Sequence, residues 1–323
     1  MPRRWTARSG MALILTLAAI VLAGGLALYL QARALALARA EQAELLQERL
    51  RLAAAEAARE ALWTLASDED LTVDHLGEDW AIPREVAHAD GLSTRAVVED
   101  AGRFFNWNNV AVSNRAARTS RDILLDLMTF CGDFNPGIRV DALTDFVDAD
   151  EEGGYEADFY AAGEPPFQPP NRELWAPAEL LRVHQFTAEL FRPRPRTAPD
   201  ELFSGDLAAS TALVPLRLDK PIPVNVNTAS RDVLMGVAGL QQDIAVRAIL
   251  ALREMEPLGS LSVLFMANPE LAAALEGTLA TASSVFRVRA RAAMQDQYCT
   301  VMAWVVREQN GDIRILQWMY EEG

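Results

Sequence analysis

The sequence predicts an α+β fold in which a long N-terminal helix packs on an antiparallel sheet and a large, mainly α-helical insertion interrupts the strands. Three observations predict it. An uncharged, mostly apolar run, Met11–Leu30, continues through Gln31–Ser67 without Gly or Pro. Period-two alternation, the mark of half-buried strands, occurs near Ser93 and again near the C-terminus. Between those places, from Ser113 to Ser284, the pattern turns helical.

The helix comes first in the chain. Twenty residues from Met11 to Leu30 make a helix of about 30 Å, the thickness of a bilayer's hydrocarbon core. Arg3, Arg4 and Arg8 precede it with no acid among them, so residues 1–10 form a basic leader that should stay cytoplasmic while the rest crosses the membrane. The run is longer than the apolar core of a cleaved signal peptide, although Ala32-Arg33-Ala34 has the small residues of a cleavage site. A plain signal anchor also fits the span but gives no reason for Gly10 between leader and apolar run. Because the Ala-, Leu-, Glu- and Arg-rich pattern persists to Ser67, residues 11–67 are expected as one helix of roughly 85 Å. On its distal half Leu46, Leu50, Ala53, Ala57, Ala61 and Leu65 form an apolar stripe, with Glu48/Arg51 and Glu56/Arg59 paired on the solvated face.

The strands follow. Ser93–Glu99 alternates, Asp100-Ala101-Gly102 supplies turn residues and Arg103–Asn108 resumes, which predicts a β-hairpin on the helix stripe within a first β portion at 68–112. Alternation returns in Val285–Ala292, Gln297–Arg307 and Ile313–Tyr320, with Asn310-Gly311 a two-residue hairpin signal. Residues 285–323 therefore complete a sheet built from both ends of the chain. About 170 residues, 113–284, are looped out between its parts, with amphipathic helices at Ser120–Phe130 and Ile138–Val147. Glu164–Pro170, Arg192–Pro199 and Pro215–Pro223 read as stiff linkers.

Charge and chemistry narrow the function. The net charge is −15 with a basic excess only in the leader, which argues against a nucleic-acid partner. His75, His88 and His184 lack metal or catalytic spacing, and no nucleophile elbow or phosphate loop occurs, so no enzymatic activity is expected. Cys131 and Cys299 are open to a disulfide or to two separate buried thiols. Val224–Arg253 has a helix-hairpin-helix outline, with Asn227 or Thr228 capping Arg231–Val237, Gly239 ending it and Ile244–Arg253 following. Gln241 stands where a phosphate-binding hairpin has its second Gly, so this segment reads as scaffold.

The sharpest local signal is acidic. Residues 141–160 hold Asp141, Asp145, Asp148, Asp150, Glu151, Glu152, Glu156 and Asp158 with no Lys or Arg. Asp148, Asp150, Glu152 and Gly153 match the start of a calcium loop and Glu156 its ninth place, but Phe159 replaces the bidentate carboxylate of an EF-hand at the twelfth. Either a solvated acidic turn or a hard-cation site fits this composition, with calcium favoured over magnesium in a flexible loop.

A basic leader ending in Gly before an apolar helix resembles type IV pilins and pseudopilins. That resemblance implies a pilin-like fold and cleavage by a prepilin peptidase between Gly10 and Met11, with methylation of the new N-terminus. Leu15 departs from the class, which usually has a glutamate there, and an apolar residue at this place is characteristic of the K-type minor pseudopilin of type II secretion. V-E-D-A-G-R-F-F-N-W-N at 98–108 is similar to that family's strand-turn-strand segment with its Asn-rich corner. The block from Asp145 to Asp150, then Gly154, Glu156 and Tyr160, and Pro169–Arg172 also resemble it, as does N-V-N-T-A at 225–229. The resemblance implies a non-enzymatic tip subunit, anchored once in the inner membrane with a periplasmic C-terminal domain. It implies calcium on Asp148, Asp150 and Glu156, and as partners the I- and J-type minor pseudopilins, the major pseudopilin, the prepilin peptidase and the inner-membrane secretion platform. The rival expectation is a minor pilin of a DNA-uptake or adhesion pilus that contacts nucleic acid through the helix-hairpin segment.

Overall fold

The structure, a computed structural model, describes residues 7–112, 117–192, 205–267 and 275–323, with backbone alone for 7–10 and 267. Arg3 and Arg4 of the leader, Ser113 and most of the linker expected at Arg192–Pro199 lie outside the described residues. One helix, α1, runs from Ala7 to Ala66. Its N-terminal portion, 11–44, is exposed throughout, whereas its distal part lies on a five-stranded antiparallel sheet. The strands are β1 (Arg84–Ala87), β2 (Ser93–Asp100), β3 (Val285–Met294), β4 (Gln297–Arg307) and β5 (Ile313–Glu322), side by side in that order.

Small residues let helix and sheet approach closely. Leu50, Ala54, Ala58, Ala61 and Leu65 of α1 meet Ala96, Val98, Phe286, Val288, Ala290, Val301 and Ala303 in one core. The buried stripe is rotated from the expected one, since Ala54 and Ala58 are wholly covered while Leu46, Ala53 and Ala57 sit at its margin. The solvated face also differs. Arg51 stacks over the Tyr320 ring at 4.2 Å, and Arg49 pairs with Asp90 at the base of β2.

The hairpin expected at 93–108 does not form. Asp100 is fully buried and its Oδ1 accepts the Gly102 N–H at 2.7 Å, turning the chain out of the sheet after β2. Phe105–Asn106 then pairs in parallel with Thr211–Ala212, inside the helical unit. The strands flanking β2 are instead β1, whose R-E-V-A is exposed along its whole length and carries no alternation signal, and β3 from far along the chain. At the other end Met294 pairs with Gln297, so the tight turn is Gln295-Asp296, with Gln295 at φ 55°. Asn310-Gly311 belongs to a longer loop in which the Asn310 side chain bonds Asp312 on both its amide atoms, at 2.7 and 3.1 Å.

The helical unit packs α2 (Ser120–Phe130), α3 (Pro136–Val147), α4 (Ala157–Ala161), α5 (Arg231–Ala238) and α6 (Asp243–Met255) round one core. That core takes in Phe105, Trp107 and Val110, ahead of position 113. The asparagines beside them act as clamps. Asn108 donates to the carbonyls of Leu174 (2.9 Å) and Val214 (3.0 Å) and accepts the Leu174 N–H (2.8 Å), while Asn109 exchanges two bonds with Ile222. Side-chain amides thus satisfy the backbone of irregular segments that have no ladder of their own. Ser230, not Asn227 or Thr228, caps α5; Asn227 instead joins the Leu258 backbone, and Thr228 donates to Asp100. Cys131 and Cys299 are two separate buried thiols with no disulfide between them.

A buried polar node fastens sheet to helical unit. Arg307 at the end of β4 bonds Asp68 (2.7 Å) and both oxygens of Asp74. Asp74 also accepts the Ser283 N–H, and Asn225 bridges Asp100 to the Asp74 carbonyl.

Candidate metal centre

The acidic loop is shaped by the C-terminus of α3. Asp145, on the last turn, is nearly inaccessible, and its Oδ2 accepts the Tyr155 N–H at 2.9 Å, which folds 148–155 back over the helix end. Gly153 lies against that carboxylate so closely that an added Cβ would stand 2.1 Å from Oδ2. Asp150 Oδ1 accepts the Glu152 N–H at 2.9 Å, closing a smaller turn. Glu156 sits at the N-cap of α4, yet its side chain makes no capping bond.

The result is a convergence of unpaired oxygens. Asp148, Asp150 and Glu156 each place a carboxylate oxygen within 4.8 Å of the other two. Asp148 Oδ1 and both Glu156 carboxylate oxygens are buried without a hydrogen-bond partner in the protein. A buried unpaired carboxylate oxygen is costly, and three in one place ask for a cation. The electrostatics agree. Burial, then the charges of Asp150, Glu156 and Asp145, push Asp148 up to about 7, and burial also raises Glu156. All-oxygen ligation suits a hard ion such as Ca²⁺. The three residues expected from sequence are therefore brought together and fit a metal. Of the other acids, Asp141 is compensated by Arg121 across α2, and Glu151, Glu152 and Asp158 are exposed. Asp145 has the role that sequence reasoning missed: it shapes the loop. Gly153, eight positions on, permits the close return.

A second acidic grouping, Asp68, Asp74 and Glu78, is already served. Arg307 occupies the first two, and Glu78 Oε2 accepts from the His75 N–H and Trp80 Nε1.

The positions singled out near the N-terminus lie far away. Gly10 and Met11 fall within the helical backbone of α1, and Leu15 is 65% exposed on it. From Leu15 to Arg49, where the sheet begins, is about 51 Å of helix. By length and composition α1 could cross a membrane, with a mean hydropathy of 2.5 in its most apolar window. In the helix-hairpin segment the cations are spent internally. Arg231 and Arg247 bond Asp243, and Arg253 donates to the carbonyls of Val226 and Ala229.

Comparisons with known proteins bear on this arrangement. A family model described as type II secretion system (T2SS), protein K, matches residues 103–194, the stretch that holds the asparagine corner and the acidic centre. No curated protein gives a match. Among solved structures, a chain of the GspK-GspI-GspJ complex from the enterotoxigenic Escherichia coli type 2 secretion system is similar in fold. The TM-score is 0.66 and the identity 20%, over 87% of this chain and 99% of that one.

Proposed function

We propose that this chain is a K-type minor pseudopilin of a type II secretion system, a non-enzymatic subunit at the tip of the pseudopilus. What carries the reading is one coincidence: the protein K match falls on the asparagine corner and acidic centre, within a chain whose whole architecture resembles a member of the GspK-GspI-GspJ complex. On this reading α1 anchors the chain in the inner membrane with the sheet and helical unit in the periplasm. A prepilin peptidase cuts after Gly10, and Met11 becomes the methylated N-terminus. The I- and J-type minor pseudopilins sit beside and below it, above the major pseudopilin and the inner-membrane platform. Ca²⁺, held by Asp148, Asp150 and Glu156, would supply the positive charge that lets the loop close. The chemistry is structural.

Tip position follows from two features. A subunit buried in the stack brings a carboxylate to its neighbour's N-terminal ammonium in an apolar bundle, where an unpaired charge costs several kcal/mol; Leu15 offers none. The helical unit, larger than the sheet it adjoins, would obstruct a subunit stacked above. A DNA-contacting pilus subunit is disfavoured by the internally consumed arginines at 231, 247 and 253. Cysteine crosslinking in assembled fibres tests the reading. Leu52→Cys on the outer face of α1 should capture an I- or J-type subunit, and Phe134→Cys, whose side chain is almost fully exposed on the helical unit, should capture no major pseudopilin. Capture of major pseudopilin by Phe134→Cys would place the chain inside the fibre and overturn the argument from Leu15.

A further inference from the structure

The outer face of the sheet, opposite α1, is covered over only part of its length. At one end Trp304 and Val306 pack under Ala212 and Val214 of the helical unit. Towards the base the face is bare, and the strand register sets out its composition. One row across it reads Val97, Arg289, Met302, Met319, each opposite the next. Met302 and Met319 continue into an apolar groove of about 580 Å³ between the sheet and the helical unit, lined also by Trp304 and the half-exposed Trp175.

Arg289 is the anomaly in that row. The other three arginines of the bare face are engaged: Arg287 by Glu99, Arg95 by Glu85, and Arg291 over the Tyr298 ring at 4.0 Å. Arg289 is exposed and, among the described residues, has no ion pair or ring contact. A guanidinium presents a planar fork of donors that fits a carboxylate in two parallel bonds, and its strength rises where apolar neighbours exclude water. We propose that this face docks an extended polypeptide segment in which one carboxylate, received by Arg289, adjoins a large apolar side chain seated in the Met302–Met319–Trp304 groove.

Two alternatives are weaker on the same observations. A polyanion such as nucleic acid needs a run of free cations, whereas the arginines in the rows on either side of Arg289 are already engaged by Glu99, Glu85 and the Tyr298 ring. A lipid headgroup is out of reach. The sheet's base lies at Arg49, paired with Asp90, and Leu30 to Arg49 is about 28 Å of helix beyond the apolar run.

The test uses the full chain in detergent micelles and fluorescein-labelled decapeptides followed by anisotropy. The first peptide has Asp between Leu and Phe, the second has Asn in its place, and the third has Lys. The wild-type chain should prefer the Asp peptide over the Asn peptide about tenfold, equivalent to 1.4 kcal/mol. Arg289→Gln should abolish that preference without lowering the melting temperature, and Arg289→Glu should transfer it to the Lys peptide. Equal binding of the Asp and Asn peptides to wild type overturns the proposal, as does a preference that survives Arg289→Gln. Absence of Asp-peptide binding up to 1 mM, or displacement of that peptide by an equal concentration of a single-stranded decanucleotide, also overturns it.

Discussion

Asp148→Asn should change the sign of its effect on stability when calcium is added. The ligand oxygens of Asp148 and Glu156 lie within 4.8 Å of each other. At an effective dielectric of about 20, two charges at that distance repel by roughly 3 kcal/mol, so the metal-free loop relieves itself by holding protons. Burial and the neighbouring carboxylates indeed push Asp148 up to about 7. Because its folded value lies above the unfolded one, this group's contribution to metal-free stability is full below about pH 4 and is lost as pH rises through about 7. At pH 8 without metal, Asn removes the repulsion, and the variant should be as stable as wild type or more so, by up to about 1 kcal/mol. With calcium at a hundred times its dissociation constant, wild type should gain about 2.7 kcal/mol. That corresponds to a rise of roughly 4 °C for a chain of 323 residues. The variant should keep only a small part of the rise. Differential scanning calorimetry of the full chain in micelles, at pH 8 with EDTA, calcium or magnesium, measures all of these. Lowering the pH to 5 should shrink the calcium rise, since protons compete for the same oxygens. A full calcium shift in Asp148→Asn, or one of equal size from magnesium in wild type, would refute the reasoning.

Three further substitutions probe the frame. Gly153→Ala drives a Cβ into the Asp145 carboxylate, so it should weaken calcium binding without touching a ligand, read as a smaller calcium-induced melting shift. Arg307→Met leaves Asp74 buried without its cation and should cost about 3–5 kcal/mol in denaturant unfolding, part of which Asp74→Asn in the same chain restores. Asn108→Leu strands the backbone groups of Leu174 and Val214 and should cost about 2–4 kcal/mol by the same measure.

The parts of the fold legible in the sequence were those whose residues answer to one dominant force. The apolar run and the Gly- and Pro-free continuation give α1 because a helix needs nothing else there. The alternation in β3 is strong because one face rests on α1 while the other is open. The expected hairpin at 93–108 failed because local pattern cannot see a partner two hundred residues away: β2 pairs with β3, and the buried bonds of Asp100 send the next segment elsewhere. Strand β1 was invisible because its whole length is exposed, so no burial imposed a period on it. In the acidic loop, composition and a partial calcium-loop match singled out Asp148, Asp150 and Glu156, which do converge. Asp145 was not distinguishable from them, because its role depends on the loop's return to its own backbone amide. Arg289 carries no signal in sequence at all, since only the register shows that its neighbours are apolar.

The N-terminus of the mature chain tests the proposed function most directly. Full-length protein expressed with and without a prepilin peptidase should be sequenced from its N-terminus and weighed intact. The peptidase should remove residues 1–10 and leave a methylated Met11, and Gly10→Glu should block the cut and retain the full-length chain in the membrane. A mature chain that begins at Leu35, just past Ala32-Arg33-Ala34, would contradict it, as would a chain that the peptidase leaves uncut.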